Sequence, residues 1–368
     1  MEDLITAYVG LDVHKDSIAV AVAEPGRAAP RFVGTTGARL GELTKALAHL
    51  GKPAQLHLAY EAGPCGYTLA RELIARGYRC EVIAVAKIPR KPGERIKTDR
   101  RDALMLARYL RAGELTPVTI PDAADEALRD LSRAREDAVR ARLKARQQLK
   151  AMLLRHGLRY AGKTSWTLAH ERYLGEVSFP HAAQNIAYAE YRATVRDAQE
   201  RVERLEASLR EQVELWRFAP VVRALMTLKG IDFVAAATLV SELGDLARFA
   251  HPKELMSYLG LVPSEYSTGE TRAQGKITKA GNGHVRRVLI ESAWSYRYAP
   301  RISRERVVRC EGQPKPIRDL SWKAQLRLCS RYRKLSARGV HQNKICVAIA
   351  RELAAFVWDV ARHVPLAR

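Results

Sequence analysis

Four carboxylates and two adjacent hydroxyls are the residues of this 368-residue chain whose types and spacing could do chemistry. Asp12 closes an alternating segment, TAYVGLDV (residues 6–13), in which Val9, Leu11 and Val13 take one face and Tyr8, Gly10 and Asp12 the other. Glu61 follows QLHLAY (55–60), where Leu56, Leu58 and Tyr60 face a core and Glu61 falls on the side of His57 and Ala59. Asp99 and Asp102 stand three apart in a helical pattern, so both project from one face. Four carboxylates converging on the ends of a sheet repel one another unless cations neutralise them. Hard oxygen ligands suit Mg2+, and two such ions about 3.5–4 Å apart can clamp a phosphodiester. Taken singly, each acid is also an ordinary surface or capping residue, as Asp99 would be at a helix N-terminus.

The hydroxyls lie in LGLVPSEYSTG (259–269), which leads through GKITKAGN (275–282) to His284, Arg286 and Arg287. Gly and Asn set turns that bring backbone close to a ligand, while Lys276, Lys279, Arg286 and Arg287 offer charge to phosphates. A serine at such a turn can attack a phosphodiester and conserve its energy in a phosphoserine link. Read from residues alone, Ser267 and Thr268 equally suit a solvent-exposed turn. Upstream, Leu228-Lys229-Gly230-Ile231-Asp232 followed by residues 235–242 reads as a helical hairpin. In DNA-binding versions a second glycine stands where Asp232 is, so a hairpin without DNA contact is an equal alternative.

The elements that must position these groups follow from periodicity. Strands are expected at 6–13, 17–23, 31–34, 55–60 and 80–85, with helices at 40–50, 67–76 and 99–112. The order βββαβαβα makes a mixed sheet flanked by helices, with a basic, Pro- and Lys-rich loop at 87–97. Residues 122–156 then read as one long helix with a seam at Ala124, Ala127, Leu131, Ala134, Ala138, Ala141, Ala145, Gln148 and Met152. A second seam, Val195, Ala198, Val202, Leu205, Leu209, Gln212 and Trp216, should pair with it, within one chain or between subunits. Residues 157–188 carry no clear pattern. The expected division is 1–120, 121–220 and 221–368, the last rich in helix signals.

Composition narrows the class. Lys and Arg number 62 against 40 Asp and Glu, a formal charge of +22 that favours a polyanionic partner, most commonly nucleic acid. Lys and Arg outnumber acids nine to one over 315–344, where Trp322 and Tyr332 suit either stacking on RNA or core packing. No run approaches the ~18 apolar residues of a membrane span, and neither an amphipathic anchor nor a lipidation signal is evident. Met-Glu-Asp-Leu-Ile has no secretory character, and five scattered cysteines form no C-x-x-C pair. The expectation is a cytoplasmic protein with reduced thiols, Cys346 being a small core residue.

The order strand Asp, strand Glu, helix Asp-x-x-Asp resembles ribonuclease-H-like nucleases such as Holliday-junction resolvases. Adding Gly260-Leu261-Val262-Pro263 to Gly269, and Ile277-Thr278-Lys279-Ala280-Gly281-Asn282, the chain resembles the DEDD transposases of bacterial insertion sequences, relatives of the Piv-type invertases. The likeness runs in order over nearly the whole chain apart from the middle. It implies a RuvC-like N-terminal domain, a coiled-coil linker and a helical C-terminal transposase domain with a catalytic serine. It further implies Mg2+ held by Asp12, Glu61, Asp99 and Asp102, and a structured guide RNA encoded by the element that pairs with donor and target DNA. It also implies a tetramer in which the acids of one subunit meet the serine of another. In much of that family the nucleophile directly precedes the glycine, where this chain has Thr268. Ser267 is the better candidate, because its primary hydroxyl is less hindered, with Thr268 the alternative nucleophile. Two rival readings are a metal-dependent structure-specific nuclease without covalent intermediate and a non-catalytic nucleic-acid-binding protein.

Overall fold

In the computed structural model the residues described are 5–89, 98–269, 271 and 273–366. The chain divides into two compact units, Met1–Asp122 and Ala123–Arg368.

The first unit is a five-stranded mixed sheet in the order β3-β2-β1-β4-β5. Its strands are β1 (Ala7–Val13), β2 (Ser17–Ala23), β3 (Arg31–Gly37), β4 (Leu56–Glu61) and β5 (Arg79–Ile83). The first three form an antiparallel meander, and β4 and β5 run parallel to β1. Helices α1 (Leu40–Ala48) and α2 (Thr68–Ala75) cover one face, and α3 (Asp99–Ala112) covers the other. Of the basic loop expected at 87–97, residues 90–97 lie outside those described.

Side-chain size decides which face takes which helix. In β2 the large residues Ile18, Val20 and Val22 join Val9, Leu11, Leu56, Leu58 and Tyr60 beneath α1 and α2. The intervening Ala19, Ala21 and Ala23 face α3. In register, Ala21, Gly10 and Ala59 form a row of small residues across the sheet. The backbone of α3 settles onto that row. A Cβ on Gly10 would lie 2.2 Å from the Ala103 carbonyl oxygen and 2.5 Å from the Ala107 nitrogen.

The second unit is mainly helical. Helices α4 (Ala123–Arg155) and α6 (Ala182–Glu214) form an antiparallel hairpin, with α5 (Leu168–Glu176) in the connection. Ion pairs and hydrogen bonds rung the hairpin: Trp216 Nε1 donates to Asp125 at 2.7 Å, Arg135 Nε to Glu206 at 3.0 Å and Arg142 to Gln199 at 2.9 Å. The two seams therefore meet within one chain. The α4 seam differs from the expected one. Ala124, Ala127, Ala141 and Gln148 are exposed, while Ala138, Ala145, Leu149 and Met152 are buried together with Asp125, Ser132 and Glu136. Those three polar residues are internal because each has a hydrogen-bond partner there, a reason invisible to apolar periodicity. On α6 the expected Val195, Val202 and Leu209 are buried, as is Trp216 just beyond its end, and Val213 takes the place of exposed Gln212.

Beyond the hairpin come α7 (Ala219–Leu225), α8 (Phe233–Leu243), α9 (Pro252–Tyr258), the two-stranded β6 (Pro263–Glu265) and β7 (Gln274–Ile277), α10 (Gly283–Ala293), α11 (Arg304–Cys310), α12 (Lys315–Ala337) and α13 (Gln342–Arg362). The core runs along α13, where Ile345, Cys346, Ile349, Leu353, Val357 and Val360 are buried. Tyr332 belongs to this core at 6% exposure, and Trp322 lies half-buried beneath the Arg306 guanidinium. Among the described residues no helix is long and apolar enough to cross a membrane.

Substituting Gly10 tests the close seating of α3. Gly10→Val should destabilise the first unit by about 3 kcal/mol or more. Gly41→Ala, where nothing lies within 4 Å of the added carbon, should be neutral or stabilising by up to about 1 kcal/mol. Urea denaturation of both variants reads the difference.

Candidate active site

The carboxylate cluster is a consequence of that seating. Asp12 and Gly10 share the α3 face of β1, and the last register pair between β1 and β4 is Leu11 with Tyr60. One step further, Asp12 and Glu61 end adjacent parallel strands, on the face that also carries Ala59. Because the middle of α3 is pinned over Gly10, its first turn comes to the same strand ends. That turn is capped by Thr98, whose hydroxyl accepts from Arg101 N at 3.3 Å, and it contains Asp99 and Asp102.

His14, in the turn between β1 and β2, is a member of the cluster. Its Nε2 is 3.3 Å from Asp12 Oδ2 and 3.5 Å from Asp99 Oδ1. One ligand atom from each of Asp12, His14 and Asp99 lies within 4.8 Å of the others. Asp12 is the least exposed, its side chain at 15% against 63% for Asp99. Burial pushes the Asp12 carboxyl above the usual aspartate range. The neighbouring His14 opposes that rise, and Asp102 and Asp99 add to it. A half-buried carboxylate crowded by two others gains from a nearby cation, so the donor set fits a divalent metal. Glu61 is half-buried and engaged in contacts at its strand end. The signal for His14 was present in the Asp-x-His spacing after β1, but a turn residue two positions on carries no face preference from strand periodicity.

The hydroxyl loop belongs to the second unit and is a hairpin built on β6 and β7. Tyr266 N donates to Ala273 O at 2.9 Å, and Thr268 and Thr271 exchange backbone hydrogen bonds of 3.1 and 3.0 Å at the tip. Ser267 and Thr268 are both exposed there. The hairpin's base is clasped. Gly260, in the left-handed region at φ +61°, lies so close to Ala280 that a Cβ would meet its backbone at 2.4 Å. At Gly281 (φ +70°) a Cβ would stand 1.8 Å from the Tyr258 carbonyl oxygen. Arg286 closes the clasp by donating to the carbonyls of Leu259 at 2.9 Å and Ala280 at 3.0 Å.

Below the clasp is a polar network that sequence reasoning did not find. Asn282 caps α10 by accepting from His284 N and Val285 N, and its Nδ2 donates to Glu242 at 2.6 Å. Glu242, 4% exposed, also accepts from Arg133 at 2.7 and 3.0 Å. Glu136 on α4 takes His284 Nδ1 and an Arg287 nitrogen, each at 2.8 Å, as well as Arg140. Of the four cations expected to meet phosphate, Lys276 and Lys279 are exposed beside the hairpin, whereas Arg286 and Arg287 bond internal partners. At the turn 226–232, Lys229 donates to the carbonyls of Tyr298 and Ala299, and Asp232, where a second glycine would stand, caps α8 through Ala235 N at 2.8 Å.

Glu242 yields a prediction with a definite sign. Burial raises its carboxyl, but the bonds from Arg133 and Asn282 outweigh that and hold it below the usual glutamate range. A depressed folded value means its contribution is complete above the unfolded value of ~4.3 and is lost as pH falls through the folded one. Urea midpoints of the unmodified protein should therefore drop more steeply below that pH than those of Glu242→Gln. At neutral pH Glu242→Ala should cost about 3 kcal/mol.

Two family models match stretches that contain the acids and the hydroxyl hairpin. Residues 9–157 match the model of the DEDD transposases of the IS110 type, and residues 222–307 match that of the IS116/IS110/IS902 transposase family. The chain is 48% identical over 98% of its length to the y4qE protein of Sinorhizobium fredii, which bears a transposase name, covering 90% of that relative. It is 30% identical over 89% of its length to the transposase for insertion sequence element IS1533 of Leptospira borgpetersenii, covering 96% of that one. With carboxylates at the strand ends, a clasped hydroxyl hairpin and relatives aligned along the whole chain, this protein belongs to the DEDD transposase family of bacterial insertion sequences and is a DNA transposase.

Proposed function

We propose that the transposase cuts and exchanges DNA strands through a serine nucleophile, with the acidic cluster as a Mg2+ site and an element-encoded structured RNA choosing donor and target. The observation that carries this reading is the pairing of two features in one chain. Asp12, His14 and Asp99 offer donor atoms within 4.8 Å of one another, and Ser267 stands exposed on a hairpin whose base is fixed by Arg286. Asp12, Asp99 and Asp102 would hold the metal with Glu61 at the neighbouring strand end and His14 beside them, and two ions are the expected complement. Bound metal supplies charge neutralisation for the scissile phosphate and its leaving oxygen.

The protein's own residues then have separate tasks. Ser267 attacks the phosphorus and leaves a 5′-phosphoserine and a free 3′ hydroxyl, so the energy of the phosphodiester is kept for rejoining. Lys276 and Lys279, exposed beside the hairpin, hold backbone phosphates. The N-terminal unit is read as RuvC-like and the helical hairpin as the coiled-coil element of a homotetramer, in which the acids of one subunit serve the serine of another. Of the sequence-based alternatives, a hydrolytic nuclease would use the same acids without a covalent link.

Denaturing gels separate the two. Full-length protein, incubated with the element-encoded transcript, Mg2+ and duplex DNA carrying the element end, should form an adduct that survives denaturation and maps to Ser267. Ser267→Ala should abolish it, whereas Thr268→Ala should lower its yield by less than about tenfold. Cleavage without any attached protein would establish the hydrolytic reading instead. Alanine at any one of Asp12, Glu61, Asp99 or Asp102 should abolish recombination with the fold intact by circular dichroism. Titration with Mn2+ alone, followed by electron paramagnetic resonance, should show weakened binding in Asp12→Asn and Asp99→Asn. A fully active Asp102→Ala protein would refute the metal role.

A further inference from the structure

The hairpin treats its two adjacent hydroxyls differently. Side chains alternate along its first arm, so Glu265 and Ser267 share one face while Ser264, Tyr266 and Thr268 take the other. Ser267 Oγ donates to Glu265 Oε1 at 3.0 Å. Directly across the ladder, Gln274 pairs with Glu265 and its Nε2 reaches the second carboxylate oxygen at 3.4 Å. Ser264, on the opposite face, spends its hydroxyl on the Lys276 carbonyl at 3.1 Å. A nucleophile and a proton acceptor thus stand within hydrogen-bond reach, with the acceptor itself oriented by a third group. That is the arrangement by which a weakly acidic hydroxyl is activated.

We infer that Glu265 is the general base for Ser267, with Gln274 as its positioning residue; the inference rests on the serine reading above. As the Oγ–phosphorus bond forms, the Ser267 proton passes to the Glu265 carboxylate. The bond from phosphorus to the 3′ oxygen breaks, and that oxygen leaves with the electron pair and takes a proton from solvent. In the reverse step the 3′ hydroxyl of the new partner strand attacks the phosphorus and loses its proton to solvent, the Oγ–phosphorus bond breaks, and the protonated Glu265 returns its proton to Oγ. The pairing also gives a physical reason why Ser267 rather than Thr268 is the nucleophile. Thr268 lies on the face away from the carboxylate, at the tip where its backbone is bonded to Thr271.

Single-turnover adduct formation tests this, with full-length protein, the element-encoded transcript and duplex DNA carrying the element end. Glu265→Gln keeps the shape and a hydrogen-bond acceptor but takes up no proton. Its rate constant should fall about 10²–10⁴-fold. Its DNA affinity and thermal midpoint should stay unchanged, and Glu265→Asp should recover part of the loss. A substrate with sulfur in place of the scissile 3′ oxygen provides a readout that a structural role would not move. Its better leaving group rescues loss of a general acid but not loss of a base, so the Gln variant should remain slow on it. An adduct mapped to Ser267 that forms at full rate in Glu265→Gln overturns the inference alone, as does rescue by the sulfur substrate or a loss explained by weaker DNA binding. If the unmodified protein forms no adduct, the serine reading falls and this inference falls with it.

Discussion

The acidic cluster depends on how closely one helix can approach one sheet. Carboxylates repel, so nothing in their own chemistry gathers them. Here the attraction comes from apolar packing a turn or two away, where α3 lays its backbone onto the Ala21–Gly10–Ala59 row and buries Ala103, Leu106, Ala107 and Leu110. That burial, favourable by roughly 25 cal/mol per Å² of apolar surface, offsets the repulsion it creates at the strand ends. Burial first, and to a smaller extent the charges of Asp102 and Asp99, raise the Asp12 carboxyl against the pull of His14.

The second unit solves the opposite problem, that of presenting an exposed hydroxyl hairpin to solvent without letting it wander. Its means are short-range and polar. Two left-handed glycines allow the 258–261 and 279–281 backbones to touch, and Arg286 spends its guanidinium on two carbonyls at that contact. Asn282 then ties the loop's end to Glu242, whose charge is balanced by Arg133. Glu136 does the same for His284 and Arg287. Fully satisfied buried networks of this kind favour one arrangement, because any alternative strands a charged group away from water.

Much of this was legible in the chain, and the reasons differ by region. The alternation of large and small residues in SIAVAVA marks both the strand and its two faces, and Thr98 with Gly113 bracket α3, so the 99–112 helix matches its expected limits. Glu61 could be assigned its face from Leu56, Leu58 and Tyr60 because period-two alternation holds to the strand's last residue. His14 escaped notice because it sits just past the strand, where that rule ends. The α4 seam was only partly placed, with Ala138, Ala145 and Met152 buried as expected, for a related reason. A buried Ser132 or Glu136 reads as surface until its partners Thr238 and His284, more than a hundred residues away, are known. Residues 157–188 were opaque since their order comes from side-chain clustering of Phe179, Tyr188 and Leu174 around one short helix, with no repeat to betray it.

Net charge proved a coarser guide than its size suggests. Of the arginines nearest the hydroxyl hairpin, Arg133, Arg286 and Arg287 neutralise internal carboxylates or brace backbone, and Lys229 does likewise at its turn. An excess of +22 therefore measures two quantities at once, the cations that stabilise the fold and those left for a polyanion. Only the second group should govern the salt dependence of DNA binding, since only phosphate contacts release counterions. By exposure Lys276 and Lys279 are the candidates for that group, and Ser267, whose hydroxyl donates to Glu265, stands on the same hairpin. In the proposed reaction, positive charge that draws the phosphate in and negative charge that accepts the proton must coexist on one hairpin. The hairpin carries the two on separate arms, Glu265 in β6 and Lys276 in β7.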